Sequence, residues 1–170
     1  MTAFEAGAVA IGLAACATDV SSRRVPNVLT ATAIAGGLLA HATLPGGQGA
    51  FAALLGFAAG LAAFFPFFAL GGMGGGDVKL MAALGTWIGW SPVLWTALYG
   101  SVAGGVIAIG VGLAHGYLRQ ALSNIGGLLL VWRVQGLRPV PALTLEHGSG
   151  PRLPYAIPIF VGLVTTLWRH

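Results

Sequence analysis

Long stretches without charged side chains dominate the sequence. Between Arg24 and Asp77 lie 52 residues, and between Lys79 and Arg119 lie 39, without an Asp, Glu, Lys or Arg. A membrane-spanning helix needs about 20 apolar residues, so each interval has room for two. Because the apolar runs are continuous and lack an alternation of period two, they favour helices over the strands of a barrel.

Turn residues divide these intervals at Leu44–Gln48 and at Trp90–Pro92, and two further apolar stretches lie near the ends of the chain. We therefore predict an all-α, polytopic membrane protein of about six transmembrane helices in a single domain, residues 1–170. The predicted spans are residues 3–18, 26–43, 49–70, 78–90, 93–114 and 153–168.

One sizeable loop, residues 117–151, remains between the last two predicted spans. Its middle, Leu122–Val134, is apolar enough to lie in the membrane interface as a helix, with Arg119 and Arg133 at the headgroups. A seventh, very short span there is rejected because it would place Arg119 and Arg138 on opposite faces of the membrane.

Composition agrees with this topology. The chain is 56% hydrophobic and 7% charged, whereas soluble domains are about 25% charged, so an ordinary soluble globule is excluded. A disulfide scaffold is excluded too, since Cys16 is the only cysteine; we interpret it as a thiol packed in the first helix rather than a processing site.

Charge placement predicts the orientation in the membrane. Six spans put seven of the eight basic residues on one face, which by the positive-inside tendency is the cytoplasmic face of a bacterial inner membrane. The net charge of +4 then reflects topology and attraction to membrane lipid, and no basic stripe with interleaved aromatics indicates a nucleic-acid partner. The seven are Arg23, Arg24, Lys79, Arg119, Arg133, Arg138 and Arg152.

The only two aspartates, Asp19 and Asp77, fall at the cytoplasmic ends of predicted spans. Two facing carboxyls near hydrocarbon tend to share one proton. An aspartic protease uses such a pair, because one carboxylate deprotonates a water while the protonated acid polarises the scissile carbonyl. A purely structural interpretation pairs Asp19 with Arg23, and has Asp77 pair with Lys79 or cap the next helix.

The segment before Asp77 carries five glycines in six residues, Gly71–Gly76. Glycine permits positive φ and close approach of another backbone, as an extended peptide substrate would require. Phosphate binding is disfavoured because this loop ends in an anion, and not in the Lys and Ser or Thr of a P-loop. Two carboxylates could hold magnesium, but the scattered histidines disfavour a transition metal, and we predict neither a metal nor a cofactor.

Three segments resemble the type IV prepilin peptidases, membrane aspartic proteases of the GxGD type. Asp19–Asn27 is similar to that family's first catalytic segment, an Asp followed by basic residues and a hydrophobic-Pro-Asn. Gly74–Leu80 resembles its GxGD segment, and Leu153–Ala156 its Pro-Tyr-Gly, with Ala156 in place of the glycine. The ordered trio reaches from the first helix to the last.

This resemblance implies that Asp19 and Asp77 are the catalytic pair of an endopeptidase that cleaves the leader of prepilins or pseudopilins at the cytoplasmic face. Larger members carry paired CxxC motifs and a methyltransferase activity, so this chain looks like the short, peptidase-only branch of tight-adherence (Flp-type) pilus systems. The alternative is a non-enzymatic membrane protein, either a proton-coupled transporter or a pilus-assembly scaffold.

The matched segments also suggest supporting residues. Pro26 and Asn27 either fix the start of the second helix or contact substrate. Lys79 either tunes the acid pair or extends to the lipid headgroups, which is the preferred interpretation. The remaining supporting candidates are Gly74, Gly76, Pro154 and Tyr155.

Overall fold

The computed structural model describes residues 1–116, 118–136 and 154–169, and these residues form helices and connecting turns. Six of the helices overlie the six predicted spans, within a few residues at each end. The helices are α1 (Ala3–Ser22), α2 (Asn27–Thr43), α3 (Ala50–Ala69), α4 (Gly75–Ile88), α5 (Trp90–Ala114), α6 (Leu118–Gln135) and α7 (Ala156–Arg169).

Three of these helices, α1, α3 and α5, are long and apolar enough to cross a membrane. α2, α4 and α7 have 17, 14 and 14 residues, so the count of six spans stays a prediction. α6 lies where an interfacial helix was expected, although its depth in a membrane is likewise untested. The rest of the predicted loop, with Arg138 and Arg152, lies outside the described residues.

The shortest helices, α4 and α7, supply much of the core. Eight of the 14 residues of α4 are buried, including Leu80, Met81 and Leu84, because α1, α2, α3 and α5 pack around it. The long buried run from Val78 to Thr86, interrupted only by Lys79, agrees with this central position in the bundle.

Close backbone packing holds α4 against α3. A Cβ on Gly56 would overlap the carbonyl oxygen of Gly85, and one on Gly60 would overlap that of Met81. The Gly56-xxx-Gly60 pair thus makes the tight helix contact expected of a small-residue stripe. Since the earlier residue of α3 meets the later residue of α4, the two helices are antiparallel.

The same reasoning fixes which helix ends meet. α7 is antiparallel to α5, with Gly162 against Gly100, and antiparallel to α1, with Phe160 against Gly12. α2 runs parallel to α4, since Asn27 contacts Lys79 near their starts. The end of α1 and the starts of α2, α4 and α7 consequently gather at one end of the bundle.

A buried histidine closes the opposite end. The Gln48 N–H donates to His41 Nδ1 at 3.2 Å, so Nε2 carries the proton and donates to the Trp87 carbonyl, also at 3.2 Å. The Trp87 indole Nε1–H in turn donates to the Ala33 carbonyl at 2.8 Å. The Trp87 ring lies between helices, against Gly7 of α1 and Gly36 of α2.

Candidate active site

An open depression of about 430 Å³ lies at the end of the bundle where the starts of α2 and α4 meet the end of α1. It brings together both aspartates, the glycine-rich segment and the α1–α2 turn. Four predicted supporting residues line it with them. The lining residues are Asp19, Arg23, Arg24, Val25, Pro26, Asn27, Gly74, Gly75, Gly76 and Asp77.

Asp19 occupies the last turn of α1 and is only 6% exposed. Its Oδ2 accepts the backbone N–H of Ala156 at 3.1 Å. Ala156 is the first residue of α7, where the backbone N–H groups have no partner within the helix. Asp19 therefore caps α7 from another helix, and the positive end of the α7 dipole faces its carboxylate.

Asp77 occupies the first turn of its own helix, α4. Its backbone N–H donates to the Gly74 carbonyl at 3.2 Å, and its carboxylate accepts the backbone N–H of Gly74. This second bond reaches back from the first turn to the N-cap residue Gly74 and satisfies one backbone N–H at the start of α4. Both aspartates thus sit at helix N-termini, α7 for Asp19 and α4 for Asp77.

Burial changes the acidity of Asp77, which precedes the predicted span 78–90. Removal from water, and to a lesser extent the negative charge of Asp19, raises the pKa of its carboxyl from 3.8 to about 7. The hydrogen bond from Gly74 opposes this rise but does not cancel it. One proton is consequently held near neutral pH beside a second carboxylate, as a proton-sharing pair requires.

Basic side chains do not neutralise the pair. Within the described residues, no ion pair shorter than 4.0 Å joins Asp19 to Arg23 or Asp77 to Lys79. Lys79 Nζ instead donates to Asn27 Oδ1 at 2.9 Å, a contact that neither interpretation of Lys79 anticipated. Arg23 terminates α1 in the left-handed region, with φ 53°.

The glycine-rich segment mainly leaves space for neighbouring groups, and unusual backbone dihedral angles matter less there. Of its five glycines only Gly71 has a positive φ, of 78°. A Cβ on Gly74 would lie 3.1 Å from Asp77 Oδ2, and one on Gly76 would lie 3.4 Å from the Val25 side chain. Because Gly74 has no side chain, the Asp77 carboxylate has room to lie close to the Gly74 backbone.

Pro154 and Tyr155 are adjacent to the site but do not line it. The Pro154 carbonyl accepts the Ile157 N–H at 3.4 Å and so starts α7. The Tyr155 ring meets Phe64 edge-on, with centroids 6.4 Å apart, and its hydroxyl lies over Gly104. These two residues set where α7 begins, and with it the position of the Ala156 N–H.

Ala156 is the site residue that the motif comparison missed. It is fully buried, and besides its bond to Asp19 its carbonyl accepts the Cys16 thiol at 3.3 Å. The backbone approaches α1 closely although alanine stands where the family usually has glycine. The sequence feature that could have identified Ala156 is its position directly after Pro154 and Tyr155, at the start of an apolar run.

The described residues contain no group of three or more His, Cys, Asp or Glu side chains arranged to hold a metal ion. The acidic groups that line the depression are the carboxylates of Asp19 and Asp77. With one proton between them, they can accept a proton from a water and donate one to a carbonyl oxygen.

Sequence comparisons identify known proteins to which this chain is similar. The chain is 30% identical over 127 residues to a prepilin leader peptidase/N-methyltransferase of Aeromonas salmonicida, which covers 67% of this chain and 44% of that protein. It is 34% identical over 100 residues to the protein of the same name from Dickeya chrysanthemi, covering 55% and 35%. The chain spans less than half the length of these relatives. No solved structure gives a significant match.

The model of the type IV leader peptidase family matches residues 7–109, which include the end of α1, all of α4 and both aspartates. That range is more than half of the chain, and it carries two of the three segments that the sequence analysis singled out. The apolar helices α1, α3 and α5 fit a protein of the membrane. The chain is thus a membrane protein that belongs to the type IV leader peptidase family.

Proposed function

We propose that this protein is an aspartic endopeptidase that removes the N-terminal leader of prepilins or pseudopilins. The observation that carries the proposal is the meeting of Asp19 and Asp77 in one open depression, where no basic side chain of the described residues forms an ion pair with either acid. The names of the Aeromonas and Dickeya relatives supply the substrate class. The type of substrate within that class is a Flp-like prepilin, as the resemblance to the short branch suggests.

In the proposed mechanism the two aspartates have different roles. Asp77, with its pKa of about 7, holds the proton and donates a hydrogen bond to the scissile carbonyl. Asp19, which receives the Ala156 N–H and faces the α7 dipole, acts as the carboxylate that removes a proton from water. The water oxygen attacks the carbonyl carbon, and the leaving nitrogen takes a proton from the pair as the peptide bond breaks.

The position of the depression supports cleavage at the membrane surface. Arg23, Arg24 and Lys79 lie at this end of the bundle, whereas Arg169 ends α7 at the other end. By the positive-inside tendency this end is the cytoplasmic face of the inner membrane. A leader peptide on that side can then enter an open depression without crossing the bilayer.

The test is cleavage of a co-expressed Flp-like prepilin, followed by its size on a gel. Asp19→Asn and Asp77→Asn keep the side-chain shapes and should each abolish cleavage. Glu5→Gln is the matched control, because Glu5 lies in the first turn of α1, at the far end of that helix from Asp19. Cleavage that persists in both asparagine variants at the level of the control would refute the assignment.

The transporter alternative makes a different prediction. Both acids lie at helix ends beside a depression, whereas a proton relay places acids within the membrane. Proton flux into vesicles that vanishes with either acid, in the absence of prepilin cleavage, would support a transporter. A scaffold would retain pilus formation with both acids replaced.

A further inference from the structure

Asn27 lies on the rim of the depression, and its amide orientation is fixed by a neighbour. Its Oδ1 accepts Lys79 Nζ at 2.9 Å. An ammonium group is only a donor, so it must face the oxygen of the amide and not the nitrogen. Lys79 does not line the depression, whereas Asn27 does. The amide nitrogen is therefore turned away from Lys79, on a residue that itself lines the depression.

The rest of Asn27 is already anchored. It is the first residue of α2, and its backbone carbonyl accepts the Thr30 hydroxyl at 3.1 Å. In the described part of the chain, no acceptor contacts the two N–H groups of its side-chain amide. Asn27 thus presents two oriented hydrogen-bond donors at the edge of the site with the acids.

We infer that Asn27 is a substrate-binding residue, which donates from Nδ2 to a backbone carbonyl of the peptide next to the scissile bond. Lys79 is a positioning residue, because it holds the amide with its donors toward the substrate. This inference rests on the proposed peptidase function and extends it to recognition of the peptide main chain. An extended peptide offers a carbonyl acceptor at every residue, so the contact suits leaders of varied sequence.

The geometry also separates this role from electrostatic tuning. Lys79 is exposed, and its ammonium group bonds to a neutral amide instead of to Asp77. Replacing Lys79 should consequently change substrate binding and leave the pH dependence of cleavage in place. A residue that tuned the acid pair would move that pH dependence.

Asn27→Asp removes the donor, and because it also adds a negative charge to the depression that holds Asp19 and Asp77, the neutral variant Asn27→Leu is measured beside it and should lose activity as well. Aspartate keeps an oxygen for Lys79 and the shape of the side chain, but it has no N–H to offer. We expect kcat/KM for the Flp-like prepilin to fall about three- to tenfold, with the thermal midpoint in detergent unchanged. The matched control is Asn124→Asp, which makes the same chemical change on the exposed surface of α6 and should retain wild-type activity.

Lys79 is tested by a pair of variants. Lys79→Met removes the donor and should lower kcat/KM about threefold without shifting the pH profile, while Lys79→Arg keeps a donor-only group and should restore most of the activity. A Lys79→Met profile displaced by half a pH unit or more would overturn the positioning role.

The two proposals can fail separately. If the wild type cleaves, the aspartate variants do not, and Asn27→Asp matches Asn124→Asp, the role of Asn27 is refuted and the peptidase assignment stands. If the aspartate variants cleave normally, the peptidase assignment itself is refuted.

Discussion

Raising the pH from 6 to 8 should remove most of the peptidase activity, because Asp77 must hold a proton to polarise the scissile carbonyl. With a pKa of about 7, the carboxyl is about nine tenths protonated at pH 6 and about one tenth protonated at pH 8. If only the protonated form is active, kcat/KM should fall about tenfold over this interval. An ordinary aspartate, titrating near 3.8, would give no such decline.

The assay is initial-rate cleavage of purified prepilin in detergent micelles at pH 5 to 9, with kcat/KM determined at each pH. Glu5→Gln should reproduce the wild-type curve. A rate that stays constant between pH 6 and pH 9 would refute the reasoning, because the proton on Asp77 would then have no part in the rate.

The same proton predicts how stability varies with pH. Asp77 is protonated in both folded and unfolded chains below its ordinary pKa of 3.8, and only the folded chain keeps the proton between 3.8 and about 7. The folded state therefore loses stability as pH rises through that window, by at most about 4 kcal/mol in total. In Asp77→Asn this contribution should vanish, so wild type and variant should converge as pH falls. A constant difference in unfolding free energy between them from pH 4 to 8 would contradict the shifted pKa.

Two further predictions concern packing and capping, both followed as thermal unfolding in detergent. Gly85→Ala places a methyl group against the Gly56 carbonyl and should lower the free energy of unfolding by about 3 kcal/mol. The control Gly105→Ala meets no atom within 4 Å and should be neutral or slightly stabilising. Equal thermal midpoints for the two variants would argue against the close α3–α4 contact. Asp19→Ala leaves the buried Ala156 N–H without an acceptor and should lose about 1–3 kcal/mol, while Asp19→Asn retains an acceptor oxygen and most of the stability although both are inactive. Identical destabilisation by the two Asp19 variants would contradict the cap.

Much of this arrangement was predictable because it depends on local patterns. Continuous apolar runs predicted where six of the helices lie. The scarcity of charge directed attention to Asp19 and Asp77, which the structure places in one depression.

What the sequence did not predict depends on contacts between distant segments. Lys79 and Asn27 were candidates separately, but their hydrogen bond requires α2 and α4 to run parallel. Ala156 differs from the family's glycine in its side chain, yet the bond to Asp19 uses the backbone N–H, which every residue except proline has.

The hydrogen bond by which Asp19 caps α7 joins residues 137 positions apart in the chain. During synthesis, α1 and α4 emerge from the ribosome long before α7, so both acids are present while the Ala156 N–H is still absent. The carboxylate acquires its backbone donor only after the final helix has been translated and has packed between α1 and α5. Under the proposed function, the geometry of the acid pair is therefore complete only after α7 has been synthesised and packed.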